Sequence, residues 1–182
     1  MNREYRIRRH GYHLMSLASM GIAGVAVFGL LLVCMPWLRD WNPQSTTWLS
    51  IARVEWTQMQ EMGAEGRGLL STAYLVWTLA VLSPLLALRH LGSTLYRQEA
   101  LTRPVARAFM RLAHSLPANA LLSFASGILV AIACEVGGIR EHRFDADISG
   151  GYLFLVACLC LYSFAHLMSL ASEAADDARG IV

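Results

Sequence analysis

Residues 148–171 read ISGGYLFLVACLCLYSFAHLMSLA, a run without Asp, Glu, Lys or Arg. Three runs of the same character precede it, at 14–38, 69–88 and 112–136. Each is about 20–25 residues, enough to cross about 30 Å of hydrocarbon at about 1.5 Å rise per residue. Glu135, at the edge of the third run, is the one carboxylate within them, and no arginine falls inside any. The reading is an all-α polytopic membrane protein, a four-transmembrane-helix bundle, with a single membrane domain over residues 1–182.

Orientation follows from the basic residues. All fifteen are arginines. Arg3, Arg6, Arg8 and Arg9 precede the first run, while Arg89, Arg97, Arg103, Arg107 and Arg111 lie between the second and third, and Arg179 follows the fourth. These regions alternate onto one side and hold ten arginines; Arg39, Arg53, Arg67, Arg140 and Arg143 fall on the other. Cytoplasmic loops carry the excess, so both termini are expected inside a bacterial cytoplasmic (inner) membrane. Asp40, Glu55, Glu61, Glu65, Glu135, Glu141, Asp145 and Asp147 all fall outside, which makes the outer face acidic. The first run is too long for the core of a cleaved signal peptide, and no Ala-x-Ala pattern follows Met35-Pro36-Trp37-Leu38, so it is expected to stay. The longest loop, about 30 residues, is too short to bury a core of its own.

Two short interfacial helices are expected in the loops. In the first outer loop, Leu49, Ala52, Trp56 and Met59 recur at helical spacing, with Arg53, Glu55, Gln58 and Glu61 on the other side. In the inner loop Thr102 is a suitable N-cap with Pro104 in the first turn. Arg103, Arg107 and Arg111 follow every four residues, and four steps advance a helix only about 40° past one turn. With Arg97 they form a cationic surface for anionic lipid or for an acidic cytoplasmic protein. Nucleic acid is not expected there, because the stripe is short and pinned to the membrane.

Within the spans, Ser123, Gly127 and Ala131 make a small-residue ridge, and Gly21, Gly24 and Gly29 smooth the first span. Both suit close helix packing, within one chain or in a homo-oligomer. Pro84 is expected to kink the second span. Asn119, Ser163 and His166 read as interhelical hydrogen-bonding groups. His114 and His166 are the candidates for haem ligation, among inner-side histidines that include His13 and His90. No Cys-x-x-Cys pair and no i, i+4 His/Glu pair in a span argues for a metal. Cys34 and Cys134 both lie near outer span ends, where a bridge would form if their helices are adjacent. Glu135, followed by Gly137-Gly138, reads as a solvated helix end. The chain carries no phosphate loop, nucleophile–base pair or carboxylate dyad, so neither an enzyme nor a resident cofactor is expected.

Leu95-Tyr96-Arg97-Gln98-Glu99-Ala100-Leu101-Thr102-Arg103-Pro104 resembles the segment after the second span in a bacterial membrane family, domain of unknown function 2975. The tail, Ala171-Ser172-Glu173-Ala174-Ala175-Asp176-Asp177-Ala178-Arg179-Gly180-Ile181-Val182, is similar to that family's acidic ending. The resemblance covers roughly the second half of the chain. It departs at Gln98-Glu99-Ala100, where many members carry a glycine-containing turn. It implies four spans, no established activity and, from helix-turn-helix regulators encoded beside some relatives, a regulatory or partner-binding role. The expected function is a non-enzymatic membrane protein acting through its cytoplasmic basic loop and acidic tail. Two alternatives stand beside it: a small transporter or haem-b electron carrier using intramembrane histidine, and an accessory subunit or immunity protein with an extracytoplasmic partner.

Overall fold

Four helices dominate the chain: α1 (Arg3–Cys34), α3 (Ala64–Arg97), α4 (Arg103–Val136) and α5 (Ile148–Gly180). All four are long and apolar enough to cross a membrane, so the protein is all-α and multi-pass. The computed structural model describes residues 3–38, 47–49, 52–54, 56–97, 103–139, 143–144 and 148–180. Between α1 and α3 lie a 3-10 turn (Met35–Trp37), strands β1 (Thr47–Leu49) and β2 (Ala52–Val54), and a short helix α2 (Trp56–Glu61). Strand β3 (Arg143–Phe144) precedes α5. Side-chain hydroxyls within the apolar helices bond back to their own helix. Ser19 Oγ donates to the Met15 carbonyl at 2.8 Å, Thr72 Oγ1 to Gly68 at 2.9 Å and Thr78 Oγ1 to Tyr74 at 2.7 Å. Such bonds satisfy polar atoms where hydrocarbon cannot.

The chain divides into two units, and α1, α3 and α4 each contribute a segment to both. The first comprises Met1–Ala23, Ser83–Ala118 and Ser149–Val182. Here α1 meets α3 at two glycines. A Cβ built on Gly11 would lie 2.7 Å from the Tyr96 backbone nitrogen, and one on Gly92 would lie 2.7 Å from that of Met15. Backbone cannot yield as a side-chain tip can, so only glycine permits this approach. Above the crossing, Arg8 lies 4.9 Å from the Tyr96 ring centroid, a cation–π contact. Helix α4 adds buried Val105, Ala106, Ala108 and Ala113. Helix α5 joins it through the edge-on pair Phe109–Phe164, with ring centroids 5.4 Å apart. Buried Ala165 and Ser172 and half-buried Phe154, Cys158, Leu161 and Met168 mark one seam on α5. Only 6% of its apolar window is buried, which leaves the rest of its circumference for lipid.

The second unit comprises Gly24–Leu82 and Asn119–Ile148. Its core gathers Leu32, Met35, Met59, Met62, Leu70 and Tyr74 with Val130, Ala133 and Cys134. Ser126 Oγ donates to the Ala73 carbonyl at 2.8 Å, tying α4 to α3. At the end of α1, Trp37 Nε1 donates to Ser71 Oγ (3.1 Å), which in turn donates to the Val33 carbonyl (2.9 Å). Arg67 reaches back over α2, its Nε donating to the Met62 carbonyl at 3.0 Å and its Nη2 to Gln60 at 2.7 Å. A guanidinium there satisfies carbonyls at the end of the last turn and complements the negative helix end. Helix α4 stops in a Schellman arrangement: Ile139 N–H bonds to Cys134 at 2.9 Å and Gly138 N–H to Glu135 at 3.1 Å. Gly138 takes φ +77 there, and Ile139 packs back on the core beside Cys134.

The loops differ from the sequence expectation in two ways. Residues 47–49 and 52–54 form strands rather than a helix: β1 pairs antiparallel with β2 (Trp48↔Arg53), and β2 with β3 (Arg53↔Arg143). The pairing joins segments some ninety positions apart, which local spacing cannot show, while β-branched Thr47 and Val54 suit the extended backbone. Among the described residues of this loop Trp56–Glu61 is the α-helical part, and its Met59 with nearby Met62 is buried in protein rather than laid on a lipid surface. The second interfacial helix does not exist separately either, because Arg103–Val136 is one unbroken helix that holds Pro117. Pro84 likewise lies inside continuous α3. The expected cap at Thr102 lies outside the described residues.

Two outcomes test these contacts. Gly92→Leu is expected to cost on the order of 1–3 kcal/mol, as overpacking against backbone does. Gly24→Leu is expected to be silent, since nothing lies within 4 Å of a Cβ there. Thermal unfolding of each variant in detergent measures the difference, and equal midpoints would refute the Gly11–Gly92 crossing. Separately, Gly138→Ala is expected to lose about 1 kcal/mol from forcing a Cβ into the left-handed region. Gly63→Ala, with open space around it, is the matched control.

Candidate functional site: a cationic cavity between two helices

The last turns of α3 and the first turns of α4, both in the first unit, line an open cavity of about 510 Å³. From α3 come His90, Ser93, Thr94 and Arg97, whose spacing of three, four and seven residues places them on one helical face. From α4 come Pro104, Arg107, Ala108 and Arg111. The buried side of α4 carries Val105, Ala106, Ala108 and Ala113, so the arginines stand on its open side.

One contact crosses the cavity. Arg111 Nη1 lies 3.0 Å from His90 Nε2. A guanidinium only donates, so the imidazole nitrogen accepts, and the proton of the neutral ring sits on Nδ1. Ser93 Oγ and Thr94 Oγ1 both donate to the His90 carbonyl at 2.8 Å, which commits their hydroxyl hydrogens within α3. Among the described lining residues there is no carboxylate. The wall therefore presents guanidinium and imidazole N–H groups over a small apolar floor at Pro104 and Ala108.

Of the four arginines singled out by sequence, three meet here. Arg97, Arg107 and Arg111 line the cavity, and Arg103 does not. The regular four-residue spacing is real, but each step rotates the side chain by about 40°, and Arg103 lies two steps from Arg111. His90, Ser93 and Thr94 form the opposite wall and were not expected there. Their shared face with Arg97 was present in the sequence as polar residues at helical spacing, but only the fold turns that face toward α4.

The other expected groups scatter. His114 Nδ1 lies 2.7 Å from the Met110 carbonyl and its ring stands edge-on to Tyr162, with centroids 5.1 Å apart. His166 is exposed on α5. Among the described residues no group of three or more His, Cys, Asp or Glu side chains is placed to hold a metal ion. Of the small-residue ridge, Gly127 is buried whereas Ser123 and Ala131 are half-buried, so the contact centres on Ser126, Gly127 and Val130. Gly21 faces only the flexible tip of Leu85, at 3.3 Å, and Gly24 faces open space. Asn119 does not act as interhelical glue: its Oδ1 is buried with no hydrogen-bond partner. Ser163 is exposed as well. Ser71 and Ser126 take the bridging role, because small hydroxyls reach a neighbouring carbonyl where helices run close. Glu135 is exposed. All four cysteines are free thiols, with Cys134 buried and Cys34 exposed, so the bridge weighed from sequence is not formed.

No protein-family model, curated protein or solved structure matches this chain.

Proposed function

We propose that this is a non-enzymatic membrane protein of the bacterial cytoplasmic membrane, with both termini in the cytoplasm. Its basic cytoplasmic end docks an acidic partner and so serves a regulatory role. The observation that carries the reading is the convergence of Arg97, Arg107 and Arg111 from two helices on one cavity. The arginine excess supports the orientation, because regions bearing ten of fifteen arginines alternate onto one side. Glu173, exposed near the end of α5, belongs to the same side under this topology. Surface ion pairs between it and the basic end are weak, a contact that an incoming partner displaces. Membership of the domain of unknown function 2975 family, and the regulatory setting it implies, is part of the same proposal.

Two measurements test it. Single cysteines introduced at Gln98 and Thr46 are expected to label from the cytoplasmic and external sides respectively; the reverse pattern overturns the topology. Replacing Arg97, Arg107 and Arg111 together with Gln is expected to abolish recovery of cross-linked acidic protein from native membranes while insertion stays normal. The difference from the unaltered chain shrinks as ionic strength rises and the Debye length falls below about 10 Å. Undiminished recovery at low salt overturns docking.

A further inference from the structure

Diffuse attraction to a charged surface needs no cavity. Here guanidiniums from α3 and α4 surround a space of about 510 Å³, within the range of roughly 300–1,000 Å³ that suits small-molecule sites. The arrangement is also partly preset. Arg111 is held across the opening by its 3.0 Å contact with His90 Nε2. That contact leaves His90 Nδ1–H and the remaining guanidinium N–H groups as donors. Donors surrounding an apolar floor of Pro104 and Ala108 describe a receptor for an anion attached to something less polar.

We infer that this cavity binds a phosphate-bearing anion, supplied by the headgroup of an anionic phospholipid or by a soluble phosphate compound. Arg97, Arg107 and Arg111 clasp it. The inference deepens the docking reading and rests on it for the side of the membrane on which the cavity lies. Three forked guanidiniums supply more donors than the two oxygens of one carboxylate can accept, whereas phosphate oxygens accept from several arginines at once. Position along the chain fits the lipid source. The lining residues fall between the apolar runs 69–88 and 112–136, at the level where α3 and α4 leave hydrocarbon for headgroups. Basic pockets at that level, between membrane helices, are where phospholipid headgroups are held.

The test uses the purified full-length protein in a nonionic detergent, with retained ligand read by native mass spectrometry. Phosphatidylglycerol is expected to be retained at least ten-fold over zwitterionic phosphatidylcholine. Arg107→Gln is expected to reduce retention at least five-fold. Arg107→Lys keeps the charge but loses the fork, and is expected to reduce it about three-fold. Arg103→Gln removes an equal charge outside the cavity and is expected to change retention less than two-fold. Circular dichroism and thermal unfolding check that each variant is folded.

Competition then separates the sources. Displacement of phosphatidylglycerol by millimolar inorganic phosphate assigns a soluble phosphate compound; failure of both phosphate and a poly-glutamate peptide to displace it assigns the lipid. Equal losses from Arg103→Gln and Arg107→Gln overturn the inference, because the stripe then acts as diffuse charge. Displacement by a poly-glutamate peptide but not by phosphate also overturns it, in favour of a protein carboxylate ligand. Partner recovery is scored separately in Arg107→Gln. Recovery lost with lipid retention unchanged overturns the phosphate inference and leaves docking standing; the opposite pattern overturns docking alone.

Discussion

A peptide group stripped of water and left without a partner in hydrocarbon costs several kcal/mol, and this chain is organised around avoiding that state. The spans are unbroken helices of 32 to 34 residues, in which carbonyls pair with the amide four positions on wherever one is present. Where the helical pattern runs out, something specific takes over. Gly138 adopts a left-handed conformation so that Ile139 N–H can close on Cys134. Arg67 supplies N–H groups to the Gln60 carbonyl in the last turn of α2 and to the Met62 carbonyl just past it. Pro84 and Pro117 each remove one amide from the ladder, yet α3 and α4 continue through them.

Lipid tails are as apolar as leucine, so burial alone does not choose which helix faces meet. Close contact does, and it is set by a few small residues. Gly11 and Gly92 bring α1 to α3 within backbone contact, and Ser126 reaches the Ala73 carbonyl. The four long apolar helices were legible in the sequence because they depend on one property, apolar length. The packing faces were not. Gly21, Gly24, Gly11 and Gly92 are alike as letters. Whether a glycine is a contact point depends on what the opposing helix presents at that height, and Gly24 meets nothing while Gly92 meets the Met15 backbone.

The same distinction explains the loops and the site. Leu49, Ala52, Trp56 and Met59 fit a helical spacing, but β2 bonds to β3 across the intervening chain, and that pairing has no local signature. At the site, Arg103, Arg107 and Arg111 were legible as a stripe because their spacing is local to one helix. The cavity was not, since it needs a second helix, and α3 supplies His90, Ser93, Thr94 and Arg97. The fold thus sorts a uniform-looking stripe into two residues that line a shared space and one that stands outside it.

Electrostatics bears on why such a cavity exists at all. Arg97 lies in the last turn of α3, where a cation complements the negative end of the helix. Arg103 and Arg107 lie at the opposite kind of terminus. The start of α4 is the positive end of its helix, and its first turn holds no acidic residue to relieve it. Cations there oppose the peptide dipoles, and the arginines around the cavity repel one another. An external negative charge seated among Arg97, Arg107 and Arg111 offsets that repulsion. An anion seated among Arg97, Arg107 and Arg111 reverses each of these terms together: it screens the mutual repulsion, meets the positive helix end and fills the open guanidinium valences.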